Sequence, residues 1–395
     1  MEPGLHQRAP EQTRWWNNPR VRAVLFQVTI LAALLTFALY LLDNTLRNLE
    51  TRGITTGFGF LDSQAGFGII QSLVEYSETS TYGRTFVVGL LNTLLVSALG
   101  ILLASLLGFI IGIARLSRNW LIAKLAAAYV EVFRNIPLLL QIFFWYFAVL
   151  RALPSPRQSI ELGGIAYLNL RGLYLPRPLF EAGFEWVLAA LLTGIIATLL
   201  LARWGHRRQE ATGRPFHTLY AGVGLTLGLP LLAFFAAGAP LSWEIPALRG
   251  FNFRGGIPVI PELSALLLAL SIYTAAFIAE IVRAGILAVS HGQTEAAYAL
   301  GLRRGLTLRL VVIPQALRVI IPPLTNQYLN LTKNSSLATA IGYPDLVSVF
   351  AGTTLNQTGQ AVEVIAMTMA VYLGISLSIS LAMNAYNRRK MLLER

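Results

Sequence analysis

The chain has no cysteine, four histidines and only three lysines (Lys124, Lys333 and Lys390) in 395 residues. Without thiols it can form neither a disulfide framework nor a thiolate metal site. The histidines (His6, His206, His217 and His291) are scattered, with no i, i+4 pair, so no metal centre is expected. None of the lysines follows a glycine, which excludes a phosphate-binding P-loop within this chain. Charge of either sign is scarce: charged residues are 13% of the total against 55% hydrophobic, and the mean hydropathy is +0.60. A water-soluble globule of this length carries about twice that charge. Acidic residues are fewest, 19 against 31 basic, for a net charge of +12. The basic excess sits in short clusters between apolar runs, not on a face interleaved with aromatics, so no nucleic-acid partner is expected. No Ser/His/Asp arrangement or carboxylate pair appears, hence no catalytic residues and no enzyme.

What is abundant is long apolar sequence. Eight blocks, near 21–42, 85–114, 126–150, 186–203, 218–238, 262–288, 309–330 and 361–387, are each nearly free of charge and about long enough to cross a bilayer. Strands with unpaired edges cannot cross lipid, so the blocks are helices and the fold class is all-α, polytopic and lipid-embedded. The first block is longer than the apolar region of a signal peptide and follows a polar stretch with Trp15, Trp16 and Asn17, so it reads as a retained helix. Eight spans put both termini on one side. The clusters Arg207–Arg208, Arg303–Arg304 and Arg388–Arg389–Lys390 make that side cytoplasmic by the positive-inside bias. The exception is 151–185, which would lie outside yet carries Arg151, Arg157, Arg171 and Arg177. This Pro-rich stretch reads as a small extracytoplasmic cap, and the aromatic–glycine alternation Phe58–Ile69 as a segment in the headgroup layer. No internal repeat is evident, which weighs against an inverted-repeat secondary transporter.

The informative cytoplasmic segment is 290–314. Ser290 and Gln293 have the spacing of a capping box; residues 295–300 are mostly good helix formers; and Gly301 suits a left-handed helix end. The expected helix spans two to three turns and is marginal alone. Its Ala296, Ala297 and Leu300 would form a small apolar face fit for a cleft in another protein.

Here the chain resembles the permeases of type I ABC importers. Their cytoplasmic signature is Glu-Ala-Ala, three residues, Gly, nine residues, Ile-x-Leu-Pro; this chain has Glu295-Ala296-Ala297, Gly301 and Val311-Val312-Ile313-Pro314 at that spacing. The stretches Glu131–Gln141, Tyr273–Ile286, Leu317–Asn326 and Leu331–Gly342 are similar to the polar amino acid branch, with Asn135 and Ile136 as departures. The longer layout resembles the general or glutamate/glutamine/aspartate permeases of Gram-negative bacteria. The resemblance implies a multi-pass protein of the bacterial inner membrane with an ABC ATPase dimer as partner, which holds the ATP and Mg, so this chain needs no cofactor of its own. It further implies a second permease subunit, expected to be related but not identical, a periplasmic solute-binding protein and an amino acid substrate. Coupling to the ATPase would fall to Glu295, Ala296, Ala297, Gly301, Arg303 and Arg304.

The expected organisation is 1–84 (amino-terminal stretch, first helix and periplasmic segment), 85–150 (first part of the permease core), 151–261 (cap and extra helix pair) and 262–395 (second part of the core with its coupling loop). Substrate-path candidates are Glu280, Asn326, Asn334, Ser335 and Ser336. Glu280 could instead simply neutralise Arg283 at i, i+3. Pro322 and Pro323 should break their helix and leave Lys333–Ser336 just beyond it. Arg134 and Gln141 are placed at the cytoplasmic mouth as gate or structural residues, with Arg134 equally able to pair with Glu131. Ala275, Ala276 and Ala279 read as packing. The rival functions are an ion-coupled secondary amino acid transporter, a membrane enzyme, and a supporting subunit that does not itself bind substrate.

Overall fold

Apolar runs of bilayer length must satisfy their backbone internally, and helices result. A computed structural model describes residues 19–51, 56–214 and 216–390, so the stretch with Trp15 and Trp16 and the last five residues lie outside it. Among the described residues seven helices are long and apolar enough to span a membrane, and one bent pair raises the number to eight. In chain order the helices are α1 (Pro19–Thr51), α2 (Tyr82–Ala114), α3 (Trp120–Asn135), α4 (Leu138–Phe143), α5 (Phe184–Thr212), α6 (Thr218–Val223), α7 (Leu229–Ala236), α8 (Pro261–Leu287), α9 (His291–Ala299), α10 (Arg304–Thr307), α11 (Ile313–Asn334), α12 (Leu355–Thr358) and α13 (Ala361–Lys390). Wider π-helical turns extend α4 to Leu150, join α6 to α7 and α10 to α11, and lead into α12.

The core is α8, gripped by α2 on one side and by α11 and the α4 extension on others. Ala275, Ala276 and Ala279 are fully buried. A side chain on Gly108 of α2 would come within 2.6 Å of Ile278, and one on Gly112 within 2.8 Å of the Ala279 carbonyl oxygen. Small residues on both helices therefore let the backbones approach closely, where dispersion takes the place of the hydrophobic effect. In contrast, α1 buries none of its apolar stretch. The α5 and α6–α7 pair close on one another at Gly194 and Gly222, where the Thr198 hydroxyl lies 3.1 Å from that of Thr226.

Three expectations change. The block 126–150 is not one straight span: α3 and α4 are bent by 104° at Ile136-Pro137, because Pro137 removes a donor and forces the preceding residue out of helical conformation. The helix does not break at Pro322-Pro323, since α11 runs through both to Asn334; prolines are tolerated inside membrane helices more readily than in soluble ones. Phe60 is not a headgroup anchor but is buried against Tyr82 and Phe350, with ring centroids 6.2 and 6.3 Å apart.

The 151–185 cap is a β structure that recruits a second stretch of chain. Its strands β1 (Ile160–Leu162), β2 (Ala166–Asn169), β3 (Gly172–Leu175) and β4 (Arg177–Phe180) are met by β5 (Leu241–Glu244), β6 (Ala247–Arg249), β7 (Asn252–Arg254) and β8 (Ile257–Val259). They form a four-stranded sheet, β1-β2-β3-β8, and two two-stranded ribbons, β4-β5 and β6-β7, all antiparallel. Strand β8 leads directly into α8, and α8 ends beside α9, so cap and α9 mark opposite ends of the core helix.

Candidate functional site

At the loop end, α9 is a nine-residue helix whose start departs from the expected capping box. The Ser290 side chain makes no capping bond; instead the Gln293 N–H donates to the Ser290 carbonyl at 3.0 Å, and the Gln293 side chain accepts from Gln315 of α11 at 3.3 Å. Its end is as expected. Gly301 adopts φ +76°, its N–H donates to the Tyr298 carbonyl at 2.9 Å, and the Leu302 N–H donates to the Ala297 carbonyl at 3.1 Å. Those two bonds form a Schellman motif, which only a residue at ease in left-handed backbone completes without strain. The apolar face is redrawn: Ala297 is buried against the permease, while Ala296 and Ala299 are exposed and Leu300 is 81% exposed. Glu295 faces water and meets His291 at 3.0 Å; Arg303 and Arg304 are exposed beside it.

Above this loop lies a charge cluster. Glu280 is held 2.5 Å from Arg283 on its own helix and also bonds Arg115, which caps the end of α2. The charges of Glu131 and Arg134 on α3 act on the same Arg115. Arg134 does not pair with Glu131 as the sequence allowed; its guanidinium lies over the Phe277 ring, 5.1 Å from the centroid. With arginines on both carboxylate oxygens, Glu280 is a neutralised pin between α2 and α8, which favours the pairing reading over direct contact with substrate. Arg115 escaped the sequence reading, although a cation directly after an apolar block was a visible signal.

Gln141 is 4% exposed and ties the corner between α3 and α4: its side-chain N–H groups donate to the carbonyls of Phe133 and Ile136, each at 3.0 Å. It is a structural tie at the bend, the second of the two roles the sequence left open.

The polar candidates on α11 separate into two places. Asn326 is exposed to a cavity of about 280 Å3 between α11 and α13, together with Thr325, Ser380 and Asn384. Asn334, Ser335 and Ser336 are eight or more residues on, about 12 Å along the axis. There the Ser335 and Ser336 hydroxyls donate back to the carbonyls of Thr332 and Lys333, each at 2.7 Å. Ser335 is fully buried and within reach of Tyr372 on α13, which also reaches Thr93 of α2. This knot holds a group that sequence reading missed. Asp345 is 1% exposed, accepts from the Ser348 N–H at 2.8 Å, and lies 3.5 Å from the Tyr372 hydroxyl. Burial pushes its carboxyl up to about 7, against hydrogen bonds from Ser348, Val347, Thr339 and Tyr372 that pull the other way. Asn92 completes the knot, donating to the Gln71 carbonyl at 2.9 Å and the Pro344 carbonyl at 2.8 Å.

A close-packed helical core, a short exposed helix at one end and a cap at the other are the architecture of a polytopic membrane subunit. Over residues 100–391 the chain matches the family described as binding-protein-dependent transport system inner membrane component, and it belongs to that family. It is 61% identical to YhdX, an ABC transporter permease protein of Escherichia coli (strain K12), over 96% of each chain. It is 54% identical to AapQ, the general L-amino acid transport system permease protein of Rhizobium johnstonii, covering 96% of this chain and 94% of that one. Identity to BztB, the glutamate/glutamine/aspartate/asparagine transport system permease protein of Rhodobacter capsulatus, is 44% over 95% of each. A solved amino acid ABC transporter containing histidines covers 78% of this chain and 95% of its own, at 23% identity and a TM-score of 0.46. The chain is thus a multi-pass permease subunit of an ABC importer.

Proposed function

We propose that this permease translocates polar L-amino acids into the cell by alternating access. Its loop end faces the cytoplasm with both termini, and its cap faces outward. ATP and Mg are held by a separate ATPase dimer, a solute-binding protein delivers the amino acid, and a related, non-identical permease completes the pore. The observation that carries the reading is α9. Its inner side is fixed by Ala297 and Gln293, its end is set by Gly301, and the outer side, with Leu300, has no partner among the described residues. A two-turn helix of this kind is marginal alone and is stabilised by a receiving cleft. Closure of the ATPase dimer would then be carried through α9 to α11 and α8, biasing two states of the core. The amino acid assignment is supported by the systems for which AapQ and BztB are named. Among the path candidates, Asn326 is the one exposed to a polar cavity, which suits hydrogen bonding to a zwitterion. The test is uptake of radiolabelled amino acids by proteoliposomes with ATP inside and binding protein outside. ATP-dependent entry of polar amino acids is expected; entry driven by an ion gradient without ATP would overturn the reading.

A further inference from the structure

The cap carries charges that neither the fold nor the coupling loop uses. Of the four arginines in 151–185 that depart from the positive-inside pattern, two are engaged. Arg151 donates to the Tyr146 hydroxyl at 2.8 Å and lies over its ring, and Tyr146 in turn donates to Glu262 at 2.7 Å. Arg157 lies over the Phe251 ring, 4.9 Å from its centroid. The other two, Arg171 and Arg177, form no ion pair or side-chain hydrogen bond among the described residues. Both line a cleft of about 650 Å3, and the third charge in it, Glu244, is likewise unpaired. That is the size of a small-molecule site.

The cleft is built, not incidental. Glu244 on β5 stands directly across from Arg177 on β4 in the strand register, yet its carboxylate turns to Gly255, where any side chain would come within 2.9 Å of it. Gly255 and Gly256 both have positive φ, and a side chain on Gly256 would come within 2.4 Å of the Leu175 carbonyl oxygen. Two successive glycines thus bring bare backbone to the cleft floor. Tyr174, buried, donates to Asn252 at 2.9 Å and adds a fixed polar edge. The rest of the wall is Phe253, Pro258, Ile70 from the segment before α2, and Ile260, the residue that precedes α8. The cleft therefore opens at the cap end of the core helix, where a solute entering from that side arrives.

Two unpaired cations and one unpaired anion complement a ligand with two carboxylates and one ammonium. We propose that this cleft is an extracytoplasmic binding site for a zwitterionic amino acid with an acidic side chain, held by Arg171 and Arg177 at its carboxylates and by Glu244 at its ammonium. This rests on the amino acid importer reading, whose site between the core helices it precedes. A charged group bound in such a fork is worth about tenfold in affinity for each partner.

The test is equilibrium binding of radiolabelled L-glutamate to the permease–ATPase complex in nanodiscs, without the binding protein. Arg171→Gln and Arg177→Gln are each expected to weaken binding about tenfold, while Arg177→Lys restores most of it. Glu244→Gln should weaken L-glutamate but leave glutarate, which lacks the amine, unchanged. Arg177→Glu should shift competition from acidic toward basic amino acids, a result that a misfolded cap cannot give. L-glutamate binding unaltered in every variant would overturn the site. So would variants that leave it intact while lowering binding-protein-stimulated ATP hydrolysis equally for all substrates, since the cleft would then be a protein-docking surface. Absence of ATP-driven uptake with cleft-dependent binding preserved would sink the importer reading and leave this site standing.

Discussion

Glu280 and Arg115, 165 residues apart in sequence, meet where the end of α2 crosses α8, and Arg283 closes on the other carboxylate oxygen. The carboxylate and the Arg115 side chain are 27% and 16% exposed, so the pair is shielded but not sealed. Glu280→Gln would leave two guanidiniums facing each other without their counter-charge. We expect it to lower unfolding free energy by about 1–2 kcal/mol, between the values for exposed and buried pairs. Thermal unfolding in nanodiscs measures this; a variant as stable as the parent would remove the pin from the account.

Gly301→Val tests the loop geometry. At φ +76° a β-branched residue is strained by about 1–2 kcal/mol, and the two bonds that end α9 are lost or loosened. ATP hydrolysis should become independent of the binding protein and uptake should fall severalfold, read by parallel ATPase and uptake assays. Normal coupling in this variant would mean that the shape of α9 does not matter.

Gln141→Leu should loosen the corner between α3 and α4, freeing the carbonyls of Phe133 and Ile136. The loss is partly offset because the Gln141 carbonyl oxygen is itself buried without a partner among the described residues. A net destabilisation of about 1–2 kcal/mol is expected, with faster hydrogen exchange confined to residues around 133–141. Uniform exchange across the molecule would point to global rather than local opening.

The spanning helices were legible because apolar run length alone decides them, and the packing alanines of α8 were legible as small residues beside a charge. Position within a helix was harder. Pro137 bends a span by 104° whereas Pro322 and Pro323 do not end theirs, so a proline in the sequence does not by itself say whether a helix stops. The cap strands are three or four residues long and come from stretches on either side of α5–α7, so no local alternation announces them. The Arg115–Glu280 and Asp345–Tyr372 contacts join distant segments, and one sequence carries no record of which residues meet. The end of α9 was local and therefore readable, down to the handedness of Gly301, while its start and its buried face depend on contacts with α11 and were not.

Asp345 gives a pH prediction. Its carboxyl rises from an ordinary 3.8 to about 7 in the folded chain, so the folded state binds the proton more tightly than the unfolded state. Its contribution to stability is therefore greatest at low pH and declines as pH rises toward 7, then levels off. Asp345→Asn keeps an acceptor for the Ser348 N–H and a donor toward Tyr372 without the charge. Melting temperature should then vary less between pH 5.5 and 8.5 than in the parent, with the variant relatively more stable at the upper end. An identical pH profile in both proteins would show that Asp345 does not titrate in this range.

The central claim, that α9 couples this permease to an ATPase, is open to one direct measurement because the chain has no cysteine of its own. A Leu300→Cys variant carries a unique thiol at a position 81% exposed on the free face of α9. Labelled there with a maleimide photo-crosslinker and irradiated in the assembled transporter, it should capture the ATPase subunit, with a yield that changes when ATP is bound. Capture of lipid alone, with ATP-driven uptake intact, would contradict the account.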